Sequence, residues 1–198
     1  PGGTTDVVAR LVGQQLTEAW GQPVTIENKS GGLGMIGTEA GARAPADGYT
    51  LTLGNNSTHA ANAAMIERPP IDLRTDVQPI ASAARTRHML VVPTSSPFRS
   101  MKELVEAGRQ RPLTYASSSA GSASHLISET LRLRNRMNAT HVPYRGVAPA
   151  VVDVISGQVD FMTATVGGVA QHLQAGKLRA LAVTGSKRLK GFADLPTF

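Results

Sequence analysis

Apolar positions recur along this chain with two periods, one typical of amphipathic helices and one typical of strands. Val8, Leu11, Val12 and Leu16 lie at helical spacing and predict a helix over residues 7–20. The same reasoning predicts further helices at 35–44, 59–66, 101–109, 123–133, 147–156 and 169–174. Strands are predicted at 24–27, 49–53, 77–84, 89–92, 114–116, 140–142, 161–163 and 178–183. Because strands and helices alternate, the pattern predicts parallel sheets with helices on both faces.

The composition is that of a globular protein with a sizeable core. Hydrophobic residues make up 41% of the 198 residues and charged residues 17%. No apolar run approaches the roughly 20 residues that a membrane-spanning helix needs. The sequence contains no cysteine, which excludes disulfides, thiolate metal sites and cysteine nucleophiles from these residues.

The charge of the chain is basic, with a formal net value of +6. That value is compatible with nucleic acid, with an acidic ligand, or with a generally basic secreted protein. Aromatic residues make up only 4%, which argues against surfaces that stack nucleic-acid bases. Arg132, Arg134 and Arg136 end a predicted helix, where cations interact favourably with the helix dipole, and we interpret them as a solvated helix end. We therefore predict no nucleic-acid partner.

Three segments combine glycine or serine with the start of a predicted helix. They are residues 1–6, 117–122 and 141–150, and the last of these is a short strand that bends at Gly146. The first backbone N–H groups of a helix have no partner inside the helix, so such a start attracts anions. Three helix starts that converge on one cleft would hold a small carboxylate, whereas one alone would mean little.

Two further features define an enzyme as the alternative. Residues 32–37 match the dinucleotide pattern Gly-x-Gly-x-x-Gly, but four residues separate them from the predicted strand and no suitably placed acid follows. His125, in the first turn of a predicted helix, could act as a general base or simply line a cleft. The five histidines lack metal-ligand spacing, and Ser117–Ser119 lack the nucleophile elbow of hydrolases. The alternative is a doubly wound α/β enzyme with His125 as base and a dinucleotide at Gly32–Gly37.

Several short motifs occur in a fixed order along essentially the whole chain. They include Pro-Gly-Gly-Thr-Thr-Asp at 1–6, His-Val-Pro-Tyr-Arg-Gly at 141–146 and Gly-Gln-Val-Asp at 157–160. The other matching segments are 7–10, 21–24, 46–51, 115–117 and 175–184. In this order the motifs resemble the substrate-binding receptors of the tripartite tricarboxylate transporter system, the Bug family. Each motif is weak by itself, and their joint order carries the resemblance.

The resemblance implies an α/β fold of the two-lobed type II periplasmic binding protein, each lobe a mostly parallel sheet flanked by helices. The first lobe would comprise residues 1–92 and 183–198, and the second lobe residues 93–182. Strands 89–92 and 178–183 would cross between the lobes as a hinge. We expect the fold to be incomplete at both chain ends, because family members have a strand before Pro1 and a further stretch after 197. A chain segment outside this sequence, or a partner, would then complete the first sheet.

The resemblance also implies a function without catalysis or a cofactor. A periplasmic receptor of this kind binds a small organic acid between its lobes and delivers it to the membrane components of a transporter, without inserting into the membrane itself. Both lobes would contribute to the ligand site. The residues implied to meet the ligand are Gly2, Gly3, Thr4, Thr5, Asn56, Ser57, Thr58, His59, Ser118, Ser119, Ala120, Ser122, His125, Tyr144, Arg145, Gly146, Thr163 and Ala164.

Two positions depart from the pattern of the family. Thr4 stands where members often have a third glycine, which adds a side chain beside the implied carboxylate. Thr163-Ala164 occupy a place where many members have an acid. Because a buried ammonium group without a counter-charge costs several kcal/mol, we expect simple mono- or dicarboxylates to bind better than amino acids.

Overall fold

The computed structural model of this chain describes residues 3–198, which form two compact units that meet between Arg85 and Thr86. The first unit contains α1 (Thr4–Trp20), a 3₁₀ turn (Gly32–Gly34), α2 (Met35–Ala42), a π-helical turn (Ser57–Ala61) and α3 (Asn62–Met65). The strands of the second unit are β1 (His88–Pro93), β2 (Leu113–Ser117), β3 (Ala139–Pro143), β4 (Phe161–Thr165) and β5 (Leu178–Val183). Its helices are α4 (Met101–Gln110), α5 (Ala123–Asn135), α6 (Val147–Ile155) and α7 (Val166–Gln174).

Helix α1 begins three residues before the predicted helix and ends where the sequence predicts. Its C-terminus is closed by Gly21, which has a left-handed backbone (φ 64°) and donates its N–H to the Thr17 carbonyl at 2.9 Å. Asp6 lies buried in the first turn, where Asn28 Nδ2 donates to its carboxylate at 2.8 Å and Arg10 pairs with it at 3.1 Å. This acid is favourable near the positive end of the helix dipole.

The strands predicted at 24–27, 49–53 and 77–84 are wrong. Within the described residues, none of these segments takes part in a strand ladder. β-Propensity favours an extended backbone, but a strand also needs a neighbour for its N–H and C=O groups. Large apolar side chains of this unit are exposed, among them Trp20 (59%), Tyr49 (92%) and Ile80 (79%).

The predicted strands and helices of the second unit are all present, with ends shifted by at most three residues. Its sheet has the order β3-β2-β4-β1-β5. Strand β2 is parallel to β3 and β4, whereas β1 is antiparallel to β4 and β5. Four of these five strands therefore point the same way and β1 opposes them. The mostly parallel sheet flanked by helices is confirmed for this unit.

The core of the second unit lies on both faces of its sheet. Successive residues of β1 face opposite sides, so Met89 and Val91 belong to one cluster and Leu90 and Val92 to the other. The first cluster includes residues of α6 and α7, and the second includes residues of α4 and α5. All four β1 side chains are fully buried. The arrangement is a three-layer α/β/α unit.

The C-terminal segment packs on the second unit. Val183 forms a parallel bridge with Thr197, donates its N–H to the Pro196 carbonyl at 2.9 Å and accepts from Phe198 N–H at 3.1 Å. Leu189, Phe192 and Leu195 pack against the α6/α7 side of the core. Strand β1 also belongs to this unit, because its ladder partners β4 and β5 lie there. The predicted lobe boundaries at 92/93 and 182/183 thus differ from the boundary of these units at 85/86, and the lobes of the whole protein stay a prediction.

Candidate ligand-binding site

The helix starts of α5, α6 and α7 lie at one edge of the sheet, because the strands that precede them run parallel. Two backbone hydrogen bonds join the first two of these turns. Tyr144 N–H donates to the Ser117 carbonyl at 3.0 Å, and Gly146 N–H donates to the Ser118 carbonyl at 2.8 Å. The structure therefore brings together the turns 117–122 and 144–146, which the sequence singles out separately.

The start of α5 is a turn built from serine hydroxyl groups. Ser122 caps the helix by accepting from His125 N–H at 3.3 Å, and its hydroxyl donates to the Ser119 carbonyl at 2.7 Å. Ser118 N–H donates to Ser124 Oγ at 3.1 Å. The N–H groups of Ser119 and Ala120 have no acceptor among the described residues. They are available to an anion at the positive end of the helix.

The start of α6 is open in a different way. Gly146 precedes the helix with φ 120° and ψ 170°, a conformation essentially restricted to glycine, and no side chain caps the helix. Among residues 3–198, nothing accepts a hydrogen bond from the N–H groups of Val147 and Ala148. Because the Gly146 N–H already bonds to Ser118, this glycine shapes the turn, and the available donors belong to the two residues after it.

Tyr144 and Arg145 face different surroundings within the turn 144–146. The Tyr144 hydroxyl donates to Asp153 Oδ2 at 2.6 Å, which ties the turn to α6. Burial and this hydrogen bond to a carboxylate raise the pKa of Tyr144 to about 12. Arg145 is exposed and makes no ion pair with the described residues. The tyrosine therefore supports the turn through its hydroxyl, and the arginine is left as a cation beside it.

The start of α7 completes this edge and was not singled out by the sequence analysis. Val166 N–H donates to the Arg87 carbonyl at 3.0 Å. A side chain at Gly168 would come within 3.0 Å of Val147 Cγ1, so the starts of α6 and α7 touch. The signal in the sequence is the Gly167-Gly168 pair soon after a predicted strand, where the absence of side chains permits close packing.

Thr163 and Ala164 are buried in β4 and make contacts with the protein. Thr163 is fully buried, its hydroxyl donates to the Ser124 carbonyl at 2.7 Å, and it lies 2.9 Å from Ser128 Oγ. Ala164 is 1% exposed and packs in the cluster with α6 and α7. These two residues support the starts of α5 and α6 from behind, and their contact with a ligand stays a prediction.

Replacing Thr163 by valine is expected to destabilise the second unit by about 1–3 kcal/mol, because the Ser124 carbonyl and the Ser128 hydroxyl lose a buried partner. The volume of the side chain hardly changes, so the effect reports the hydroxyl. Urea unfolding followed by far-ultraviolet circular dichroism measures it. Thr130→Val is the matched control, since that threonine is exposed on α5. Equal stability of the two variants would contradict this role for the Thr163 hydroxyl.

The predicted site residues of the first unit gather around Asn55, the first residue of the polar loop 55–59 that the sequence places at the ligand. Its side-chain oxygen accepts from the N–H groups of Ser57 (2.9 Å) and Thr58 (3.1 Å), and its side-chain nitrogen donates to Thr5 Oγ1 at 3.3 Å. Thr58 Oγ1 lies 2.8 Å from His59 Nδ1, and burial lowers the pKa of His59. An asparagine that opens a polar loop is the available sequence signal.

The remaining predicted residues of the first unit occupy the same two segments. Gly3 is the residue before α1, and Thr4 and Thr5 lie in its first turn. Asn56 is exposed immediately before the π-helical turn. Gly2 lies outside the described residues. The unit therefore joins the α1 start to the loop 55–59.

The glycines at 32–37 serve close packing in the structure. The segment forms a 3₁₀ turn that leads into α2, and no strand of a ladder precedes it within the described residues. A side chain on Gly34 (φ 88°) would fall 2.4 Å from the Thr58 methyl group, and one on Gly37 would fall 3.0 Å from the Lys29 carbonyl. These contacts explain the glycines without a nucleotide, since the dinucleotide motif requires a strand that runs directly into the turn.

His125 forms a stacked pair with His141 instead of standing free as a base. The two rings have centroids 3.9 Å apart and planes inclined by 13°. His125 Nδ1 accepts from Gly121 N–H at 3.1 Å, and His141 Nε2 lies 2.6 Å from Ser117 Oγ. The Tyr115 ring stacks on the His141 side at 5.1 Å. The pair therefore connects β3 to the turn at the start of α5.

Charged groups next to the stacked pair are themselves paired. The Tyr115 hydroxyl donates to Glu129, and Arg132 pairs with the same carboxylate at 2.6 Å. These hydrogen bonds, that from Arg132 first, lower the pKa of Glu129 to about 2. Burial is the largest cause that lowers the pKa of His141, the nearby His125 lowers it further, and Glu129 opposes them.

The lowered pKa values of His141 and His88 predict that the folded protein becomes less stable as the pH is lowered. Below the model-compound value of 6.5 the unfolded chain binds protons that the folded protein resists, so the free energy of unfolding decreases as pH falls from 6.5 towards the folded values. Urea unfolding at several pH values between about 8 and 5 tests this. His141→Gln, which keeps a donor for Ser117, should flatten part of the slope. A stability that rises on acidification through this window would contradict the prediction.

Residues 3–198 show neither a metal-binding cluster nor a membrane-spanning helix. No group of three or more His, Cys, Asp or Glu side chains in this part of the chain could hold a metal ion. No helix there is long and apolar enough to cross a bilayer.

The second unit is an α/β unit whose open helix starts along one sheet edge offer backbone N–H donors of the kind that bind anions. The chain belongs to the tripartite tricarboxylate transporter receptor family, whose profile matches residues 8–198. Members of this family are transport receptors and not enzymes, so the alternative of a dinucleotide-dependent enzyme is not favoured.

Relatives with known sequence match the chain along its whole length. It is 37% identical to a UPF0065 protein in the tcbD-tcbE intergenic region of Pseudomonas sp. strain P51, covering 100% of this chain and 59% of the relative. It is 35% identical to the protein BugT of Bordetella pertussis, covering 100% of this chain and 61% of BugT. The chain thus spans about three fifths of the length of these curated relatives.

Solved structures agree with this family assignment. The Rhodopseudomonas palustris protein Rpa4515, solved with adipate, is 38% identical and superimposes with a TM-score of 0.95, covering 100% of this chain and 67% of that one. MatC from Rhodopseudomonas palustris, solved with malate, is 30% identical with a TM-score of 0.86, covering 100% of this chain and 68% of MatC. The fold is therefore that of the periplasmic binding proteins of this family.

Proposed function

We propose that this protein is a periplasmic receptor that binds a small organic carboxylate and delivers it to the membrane components of a tripartite transporter. The observation that carries the proposal is the junction of two open helix starts. The Gly146 N–H bond to Ser118 holds the α5 and α6 turns together, and each turn retains backbone N–H groups that have no acceptor among residues 3–198. Such groups at the positive ends of two helices suit a carboxylate.

The chemistry of these turns favours binding without reaction. Backbone N–H groups and serine hydroxyls donate hydrogen bonds to a carboxylate but do not activate it. The His125 nitrogen that could act as a base already accepts from Gly121 N–H. Homologues solved with adipate and malate support a carboxylate as the class of ligand.

Simple mono- or dicarboxylates should bind better than amino acids. Ala164 stands where an acid could neutralise an ammonium group, and Asp153 on α6 is engaged by the Tyr144 hydroxyl. An ammonium group buried here would lack a counter-charge, which costs several kcal/mol. In the whole protein, the α1 start and the loop 55–59 would supply further donors from the first lobe, and residues 89–92 and 178–183 would act as the hinge.

A ligand screen by isothermal titration calorimetry on refolded, ligand-free protein tests this proposal. The panel contains malate, adipate, acetate, citrate, aspartate, glutamate, NAD and NADP. We expect a non-amino carboxylate to bind best and neither nucleotide to bind. Aspartate or glutamate as the best ligand would overturn the specificity. Binding of a nucleotide, with no binding of any carboxylate, would overturn the receptor function.

A further inference from the structure

The hydrogen bonds around the stacked histidine pair fix the protonation of two of its ring nitrogens. Ser117 Oγ donates to the Ser119 carbonyl at 2.9 Å, so in its bond with His141 it accepts from Nε2–H. His125 Nδ1 accepts from Gly121 N–H, so this nitrogen carries no proton. Two imidazolium rings cannot stack at a centroid distance of 3.9 Å without strong repulsion. The geometry therefore allows at most one charge on the pair, and the Gly121 bond leaves the His125 ring uncharged.

The pair holds the turn that presents the α5 donors. The Ser119 carbonyl accepts from the hydroxyls of Ser117 and Ser122, so the His141–Ser117 bond anchors the first half of the turn. The His125–Gly121 bond anchors the second half. The N–H groups of Ser119 and Ala120, which are available to an anion, lie between these two anchors. A proton on His125 Nδ1 would displace the Gly121 N–H and release the second anchor.

We propose that His125 and His141 are positioning residues for carboxylate binding, and that the affinity falls when this pair takes up a proton. This inference rests on the proposed function, since it concerns the same turn. Attraction between an imidazolium and a carboxylate would act in the opposite direction, which makes the sign of the pH effect decisive. The lowered pKa of His141 agrees with a pair that resists protonation.

The other ionisable groups around the pair do not explain such an effect. Tyr115 on β2 stacks on His141, and burial, followed by hydrogen bonding to Glu129, keeps its pKa above the usual range. Glu129 and Arg132 on α5 neutralise each other. Arg109 of α4 reaches the far end of α5, where it donates to the Asn135 carbonyl. Protonation of the stacked pair is therefore left as the event that would release the turn.

The test compares dissociation constants for adipate, and for malate, between about pH 7.5 and 5.5. His125→Asn places an amide oxygen near the position of Nδ1, and His141→Gln places an N–H donor near that of Nε2; neither titrates. Wild type and the double variant meet the same ligand, so the ratio of their constants cancels the protonation of the ligand itself. We expect the dissociation constant of the wild type, divided by that of the double variant, to rise about threefold or more on acidification. His172→Gln, on the last turn of α7, is the matched control and should keep the wild-type pH profile.

Nuclear magnetic resonance of the ligand-free protein separates the two proposals. We expect the Gly121 amide resonance to shift on acidification of the wild type and to stay constant in His125→Asn, because that amide donates to His125 Nδ1. A flat ratio, an affinity that increases on acidification relative to the variant, or a Gly121 amide resonance that does not change on acidification would overturn the proton linkage. Absence of carboxylate binding at neutral pH would overturn the proposed function, and the Gly121 titration would still decide the geometry.

Discussion

Gly146→Asp is expected to lower the affinity for a dicarboxylate about 100-fold or more, which corresponds to about 2.7 kcal/mol. The added carboxylate would occupy the N-cap position of α6 and take up the Ala148 N–H that we assign to the ligand. It would also repel an anionic ligand at short range. Isothermal titration calorimetry on refolded protein, with adipate as the probe, measures the effect. An unchanged dissociation constant would remove the α6 start from the site.

The control for this variant must reproduce the backbone strain without the charge at the site. Gly146 has φ 120°, and a non-glycine residue in such a conformation costs about 1–3 kcal/mol. Gly157 follows the other end of α6, also has a positive φ (80°), and has open space where a side chain would lie. Gly157→Asp should therefore destabilise the fold without weakening binding. Equal losses of affinity in both variants would show that strain and not the carboxylate causes the effect.

Phe161→Ala is expected to destabilise the second unit by about 3–5 kcal/mol. Phe161 is fully buried in β4, and its ring stacks on Tyr115 with centroids 5.6 Å apart. The cavity would lie in the α4/α5 side of the core, directly behind the ring that stacks on His141. Native-state hydrogen exchange of the β2 and β4 amides measures the loss of stability in this unit. Tryptophan fluorescence would not, because the single tryptophan, Trp20, lies in the first unit.

Leu133→Ala provides the matched control for the core variant. Leu133 lies on α5 and is 60% exposed, so its truncation should change the free energy of unfolding by less than about 0.5 kcal/mol. A loss for Phe161→Ala as small as that of the control would mean that this part of the core rearranges to fill the cavity. The predicted contribution of β4 to the stability of the unit would then be wrong.

Local sequence signals predicted the second unit well because its elements are determined by short-range physics. Ser100 and Ser122 cap α4 and α5 by accepting from backbone N–H groups three residues later, and such caps are visible in the sequence. The residue pattern of β1, β2, β4 and β5 gives mostly buried strands, as β-branched and apolar runs do when both faces of a sheet are covered. The same signals failed at 24–27, 49–53 and 77–84. A strand forms only beside a partner strand, and the β-propensity of a segment does not tell whether such a partner lies next to it.

The sequence predicted which segments form the candidate site, but not the hydrogen bonds and packing contacts between them. The turns 117–122 and 144–146 were identified from glycine and serine next to helix starts, which is a local signal. The loop 55–59 was identified, but the contact of Asn55 with Thr5 was not. The Gly167-Gly168 start of α7 was missed, because its role comes from packing against Val147. Their residue types are common in loops that have no such role.

The sequence by itself determined which segments of the second unit become helices and strands, and that its sheet would be mostly parallel. The hydrophobic period and the helix caps depend on residues close together in the chain, and the alternation of strands with helices can be read along it. Only the tertiary structure decided three contacts. The Gly146 N–H donates to the Ser118 carbonyl, the Tyr144 hydroxyl donates to Asp153, and His125 stacks on His141. Each of these contacts joins different elements of the unit or its turns, so it depends on strand order and register. The backbone N–H groups available to a ligand are those that such contacts leave without an acceptor among the described residues.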